Sequence, residues 1–154
     1  MMASQLLVGS FVSVISIVIH ALATVGSISV ARAALRLALS PRLHLMSVMV
    51  ATALVLMLAH TIEVAVWSLS YAIVGAAPEG SDLVYFAFVN YTTLGYGDVT
   101  PVRAWQLLGP IAAMNGILMF GWSTAVLFEV LLKTVERLGA IAAPGTPFSA
   151  ADRG

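Results

Sequence analysis

The sequence predicts an all-helical membrane protein with three spanning helices and one short helix that enters the membrane without crossing it. Three observations carry that prediction. The 154 residues are 60% hydrophobic and only 9% charged, whereas soluble domains run near a quarter charged. Three stretches, residues 5–30, 45–74 and 104–132, are apolar over the ~20 residues that a bilayer-crossing helix needs. Between the second and third lies an apolar run from Leu83 to Tyr91, too short to cross, which suits a re-entrant helix.

The same composition excludes other classes. The net charge is zero, and no basic run suggests a nucleic-acid partner. Cysteine is absent, so disulfides and thiolate metal sites are ruled out. His20, His44 and His60 show no metal-ligand spacing. No residue pattern reads as an enzyme or calls for a cofactor.

The first stretch reads as a span rather than a cleaved leader, because it lacks a basic start and its apolar run is too long. Gly9, Ser13, Ser16, His20, Thr24 and Ser27 form a stripe along it, the pattern of small polar residues that lets helices approach closely in lipid. It has no regularly spaced arginines and does not read as a voltage sensor. In the second span, Thr52, His60, Glu63, Trp67 and Ser70 share a face. An intramembrane carboxylate costs at least ~2.5 kcal/mol, so Glu63 is expected to face protein and have a partner. His60, Asn115 and His20 are the candidates. A hydrogen bond holding the helices in register is the plainer role for Glu63, and a proton-linked gating element the sharper one.

Basic residues set the orientation. Arg32, Arg36, Arg42 and His44 lie between the first two spans, and Lys133 and Arg137 follow the third. The positive-inside rule puts both clusters in the cytoplasm and the amino terminus outside. The external connection begins with a turn-rich stretch around Pro78 and Gly80, after which Ser81 or Asp82 can cap the short helix.

The short helix leads into Thr92-Thr93-Leu94-Gly95-Tyr96-Gly97-Asp98. This segment resembles the signature of the potassium-channel pore-domain family, T-V/L-G-Y-G-D. Pro101, Trp105 and Gly116 also sit about where bacterial two-helix channels of that family have them, so the likeness covers residues 82–132. It implies a homotetramer in a plasma membrane, bacterial by preference, that passes K+ and needs no cofactor. It also implies a pore helix and an extended filter in which Thr93, Leu94, Gly95, Tyr96 and Gly97 hold the ion, with Thr92 and Asp98 supporting them. Relative to the family, the amino-terminal span is extra. The expected organisation is thus an added helix over residues 1–36, a pore domain over 43–135 and a flexible cytoplasmic tail over 136–154.

The residues suit that chemistry independently. A dehydrated potassium ion takes its ligands from stacked rings of backbone carbonyls. Glycine supplies left-handed conformations at little steric cost, which suits Gly95 and Gly97 at alternate positions. Leu94 and Tyr96 are expected to point away and wedge the strand against the pore helix. Where the family often has a glutamate as partner for its filter aspartate, this chain has Val89, and the hydroxyl of Tyr85 is the expected substitute partner of Asp98. On the third span, Ile117, Phe120, Thr124 and Phe128 share a face at about 100° per residue. Phe120 and Phe128 are candidates for a hydrophobic gate. Gly116 and Gly121 are places to bend, and Pro110 a place to kink. Asn115, Trp122 and Glu129 lie on the opposite face, toward the outer helix, with Glu129 four residues from Lys133.

Overall fold

A computed structural model describes residues 2–34 and 40–142, the side chains of 140–142 excepted. Helices α1 (Met2–Ala34), α2 (Pro41–Val74), α3 (Leu83–Tyr91) and α4 (Leu108–Ala142) follow in order, with a single 3-10 turn at Arg103–Trp105 before α4. Among the described residues there is no strand, and α1, α2 and α4 are each long and apolar enough to cross a membrane. At 33, 34 and 35 residues each rises ~50 Å, beyond the ~30 Å hydrocarbon core. Their outward faces carry exposed Leu7, Phe11, Val18, Leu54, Met57 and Leu69, a surface that lipid covers at no cost.

Local signals set the helix ends. Pro41 opens α2 in the first turn, where its missing N–H is not needed. Gly75 ends it at φ +62°, and the Gly75 and Ala76 amides close back onto Ala72 and Tyr71, a left-handed cap that suits glycine. For α3 the cap is Asp82: its Oδ1 accepts from the amides of Val84 and Tyr85 at 3.0 and 3.1 Å. At the start of α4 the amide of Leu107 donates to Gln5 Oε1 of α1 at 2.8 Å, so the first helix satisfies a donor that the fourth leaves open.

Helix α1 packs on α2 and α4, and α3 is held between α2 and α4. The main core forms around α3, with Trp67, Tyr71, Phe86, Ala87, Tyr91, Leu108, Ala112 and Met119 buried together. A smaller cluster of Val48, Leu56, Val126 and Val130 joins α2 to α4 toward the other end. The small-residue stripe of α1 faces inward: Gly9, Ser16, His20 and Ser27 are buried. A methyl on Gly9 would meet Ile111 of α4 at 2.7 Å. Ser16, Thr24 and Ser27 return their hydroxyls to carbonyls one turn back in α1, so they contribute closeness rather than bonds between helices.

Four expectations change. The third span begins at Leu108, because residues 103–105 form a separate turn. Pro110 therefore falls in the first turn of α4, where proline needs no kink. Helix α4 also runs on to Ala142, so helix occupies the start of the stretch 136–154 expected to be a tail. Between Pro110 and Pro144 the sequence contains no proline. Positions 143–154, and Arg36 with the rest of 35–39, lie outside the described residues. Finally, Gly116 does more than offer a place to bend: a methyl there would overlap the main-chain carbonyl of Tyr91. Glycine at 116 lets the end of α3 rest directly on α4.

At Gly121 a methyl would meet nothing within 4 Å, so the two glycines should respond oppositely to alanine. Gly116→Ala is expected to destabilise by ~1–3 kcal/mol through overpacking. Gly121→Ala is expected to be neutral or to stabilise by ~0.5–1 kcal/mol through helix propensity. Thermal unfolding of the purified variants in detergent measures both.

Candidate functional site

The segment after α3 leaves regular structure while staying anchored to it. The Thr92 amide still donates to Phe88 O at 2.9 Å, and its hydroxyl donates to the same carbonyl at 2.7 Å. Thr93 N bonds Asn90 O at 3.1 Å, and the amides of Leu94 and Gly95 share Val89 O at 3.0 and 3.3 Å. The last carbonyls of α3 thus tie down the first residues of the loop.

Beyond this anchor the backbone alternates in hand. Thr93, Gly95 and Gly97 have φ of 61°, 58° and 79°, while Leu94 and Tyr96 between them do not take positive φ. The left-handed glycines match the sequence expectation; the left-handed threonine does not follow from it. A β-branched residue there is a genuine outlier, costing on the order of 1–3 kcal/mol, and such outliers cluster at functional sites. One chain presents this strip once.

Leu94 and Tyr96 are 53% and 68% exposed, so the wedge expected against the short helix is not closed within one chain. The outer end is tied back instead. Tyr85 Oη donates to Asp98 Oδ2 at 2.7 Å. That bond holds the Asp98 carboxyl below the usual carboxylate range and raises the Tyr85 phenol above its ordinary value. Past the strip, Val102 N donates to Ala76 O at 2.9 Å, and Pro101 and Asn90 crowd the place where Gly109 would carry a side chain.

Behind the inner end lies a buried polar cluster drawn from all four helices. Glu63 is fully buried, with His20 Nδ1 2.9 Å from Oε1 and His60 Nδ1 3.3 Å from Oε2. The Tyr91 hydroxyl donates to Oε2 and lies 3.1 Å from His60 Nδ1. Ser123 Oγ of α4 completes the group, 2.9 Å from His60 Nε2 and 3.2 Å from His20 Nε2. Of the three partners considered for Glu63, both histidines are present. Asn115 is not: its Oδ1 accepts from Trp67 Nε1 at 3.2 Å, a separate bond between α2 and α4. Tyr91 and Ser123 were not legible as members, because an aromatic residue ending a helix and a serine in a span both read as packing.

On the gate face, Ile117, Thr124 and Phe128 are exposed in the single chain. Phe120 differs. Its ring lies 4.6 Å from that of His60 and 5.7 Å from that of Tyr91, which attaches it to the polar cluster. At the far end, Glu129 and Lys133 form an exposed pair at 2.7 Å, of the kind that contributes little.

With the geometry described, comparison with known proteins identifies a family. Residues 44–133 match the family model described as ion channel. No match was found among curated proteins or among solved structures.

A depressed carboxylate contributes stability that is present above its unfolded pKa and lost as pH falls through its lowered folded value; a raised phenol contributes until pH rises through its own. The Tyr85–Asp98 bond is therefore expected to persist between those limits. In Tyr85→Phe, Asp98 is expected to titrate higher than in the parent chain. Carboxyl carbon shifts followed against pH read that change; an unmoved Asp98 contradicts the assignment.

Proposed function

The chain belongs to the ion channel family, and from that premise we propose that it is one subunit of a homotetrameric potassium-selective channel. The single observation that carries the proposal is the strip at 93–97, with φ positive at alternate residues Thr93, Gly95 and Gly97 inside a sequence that resembles the potassium-channel signature.

In this reading the strip works by replacing water. Backbone alternating in hand can turn successive carbonyls to one side, and four such strips around one axis make stacked oxygen rings that stand in for the hydration shell of K+. Thr93, Leu94, Gly95, Tyr96 and Gly97 supply the rings, with Thr92 beneath them and Asp98, held by Tyr85, above. Closed four-fold symmetry follows because every ring must share one axis. The open sides of Leu94 and Tyr96 are then the surfaces that a neighbouring subunit covers. The carboxyl end of α3, where a helix carries partial negative charge, faces the inner end of the strip and favours a cation there.

The remaining assignments belong to the same proposal. The ion path is bounded inside by Phe120, Thr124 and Phe128 of α4, with Phe128 the freer ring and so the better constriction. The amino terminus is outside and the carboxyl terminus in the cytoplasm of a plasma membrane, bacterial by preference. The ends of α1 and α4 support this orientation, since Arg32, Lys133 and Arg137 line one groove. Helix α1 is an addition to the pore and supplies His20 to its buried cluster.

Liposomes loaded with the purified chain test the proposal by potassium and sodium uptake. The expected result is potassium uptake that sodium does not match, abolished in Gly95→Ala, whose methyl is strained at φ +58°. Equal uptake of both ions would leave a channel and remove the selectivity; uptake unchanged in Gly95→Ala would remove the filter assignment.

A further inference from the structure

The cluster behind the strip can be counted proton by proton, and the arrangements that satisfy every atom share one total. With His60 ionised, Ser123 donates to His20 Nε2 and His20 Nδ1–H to Glu63; with His60 neutral the serine turns the other way, at the same three protons. Tyr91 gives its hydroxyl proton to Glu63 Oε2. His60 Nδ1 then faces two oxygens, Tyr91 Oη at 3.1 Å and Glu63 Oε2 at 3.3 Å, and must carry a proton to satisfy them. A neutral His60 is consequently bare at Nε2. Ser123 has one hydroxyl proton and faces two ring nitrogens, so in that case it donates to His60 Nε2 and accepts from His20 Nε2–H. One proton remains for the 2.9 Å space between His20 Nδ1 and Glu63 Oε1. Whether the ring or the carboxyl holds it, His60, His20 and that shared position carry one proton each, three in all, and the net charge is zero.

A fourth proton, or a second vacancy, breaks this arrangement. With a fourth proton both Nε2 atoms carry hydrogen, so two N–H groups aim at one serine oxygen and the serine proton has no acceptor. With the shared proton removed, a ring nitrogen and a carboxylate oxygen oppose lone pairs at 2.9 Å, and a net negative charge sits at a position that is fully buried. Unpaired polar atoms and uncompensated charge are both costly away from water. The surroundings offer no relief. Helix α1 contributes His20; α2 contributes His60 and Glu63; α3 contributes Tyr91, whose hydroxyl donates to Glu63. Helix α4 contributes Ser123 with the rings of Trp122 and Phe120 and brings no charged group to the cluster. The three ionisable side chains place one ligand-type atom each within 4.8 Å of one another, yet the count leaves none of those atoms spare for a metal ion.

We propose that His20, His60 and Glu63, with Tyr91 and Ser123, form a proton-binding site that couples pH to the pore. The coupling has a short route. Tyr91 immediately precedes Thr92 and Thr93, and Ser123 lies on α4, beside the face that carries Phe120 and Thr124. Losing either bond frees the inner end of the strip or the helix beneath it. The three-proton state is the one that holds both, so ion flux falls when a proton is gained and when one is lost. This coupling rests on the channel reading; the proton count does not.

The test pairs two measurements on the full chain in liposomes. Nitrogen NMR of labelled histidine, with His44→Gln used to remove the third signal, reads ring protonation directly. The expected result near neutral pH is a proton on one of the two Nε2 atoms that face Ser123 and none on the other, with the His60 pattern altered in Ser123→Ala. Two rings both bare at Nε2, or a His60 pattern indifferent to Ser123→Ala, would overturn the site whatever the channel does. Cation flux against pH is expected to peak and to fall on both sides. Each linked proton gives a limb of at most about tenfold per pH unit, and Glu63→Gln is expected to flatten the profile. With the expected NMR pattern, a flux profile the same in Glu63→Gln as in the parent would overturn the coupling. Peaked but unselective flux would keep it while removing potassium selectivity.

Discussion

Tyr91 is gripped at both ends. Its main-chain carbonyl rests where Gly116 of α4 has no side chain, and its hydroxyl donates to the buried carboxyl of Glu63 on α2. Everything beyond it lacks regular hydrogen bonding, and such backbone is tolerated inside a membrane only where protein buries it or a water-filled path faces it. Where Tyr91 sits therefore decides where the irregular strip begins. The remaining architecture serves that placement. Asp82 starts α3 at a fixed residue, the aromatic core of Trp67, Tyr71 and Phe86 holds its flank, and the carbonyls of Val89 and Asn90 anchor the first turn of the strip.

The grip reaches further than a two-helix pore would require. Glu63 can stay buried because His20 arrives from α1, and α1 lies close because Gly9 and a stripe of small residues let it approach. At its other end Gln5 satisfies the amide of Leu107. The added helix thus meets the pore segment twice, once at the outer start of α4 and once at the polar cluster. A carboxylate that would be costly in lipid becomes a fixed point joining four helices, and His20 of α1, one of the partners the sequence offered, is bonded to it.

Much of this was legible in the sequence, for reasons that differ by element. The spans were legible because lipid imposes a length and a composition, and the short helix because its apolar run falls below that length. Asp82 as cap, Gly95 and Gly97 as left-handed residues, and Tyr85 within reach of Asp98 follow from local geometry, which the sequence encodes directly. Glu63 was legible as a residue needing a partner, but the choice among His20, His60 and Asn115 depends on how three helices rotate about their axes, and periodicity gives only relative faces. Gly116 read as flexibility because a close approach and a bend call for the same residue. That Phe120 also lies beside the rings of His60 and Tyr91 was not legible, because nothing in α4 alone reveals them. The left-handed Thr93 was beyond local propensity, since threonine takes that conformation only when its surroundings impose it.

What one chain leaves open is as informative as what it closes. Leu94, Tyr96 and Phe128 remain exposed, and the chain supplies the strip only once. The proposed four-fold assembly would cover these side chains and bring four strips together. The most direct measurement is the structure of the assembled protein in lipid with potassium, or thallium in its place, present. The account predicts four copies around one axis and a row of ion density on that axis, level with the carbonyls of Thr93, Leu94, Gly95 and Tyr96. An assembly that does not bring four strips to a common axis, or an axis without ion density at Gly95, would contradict it.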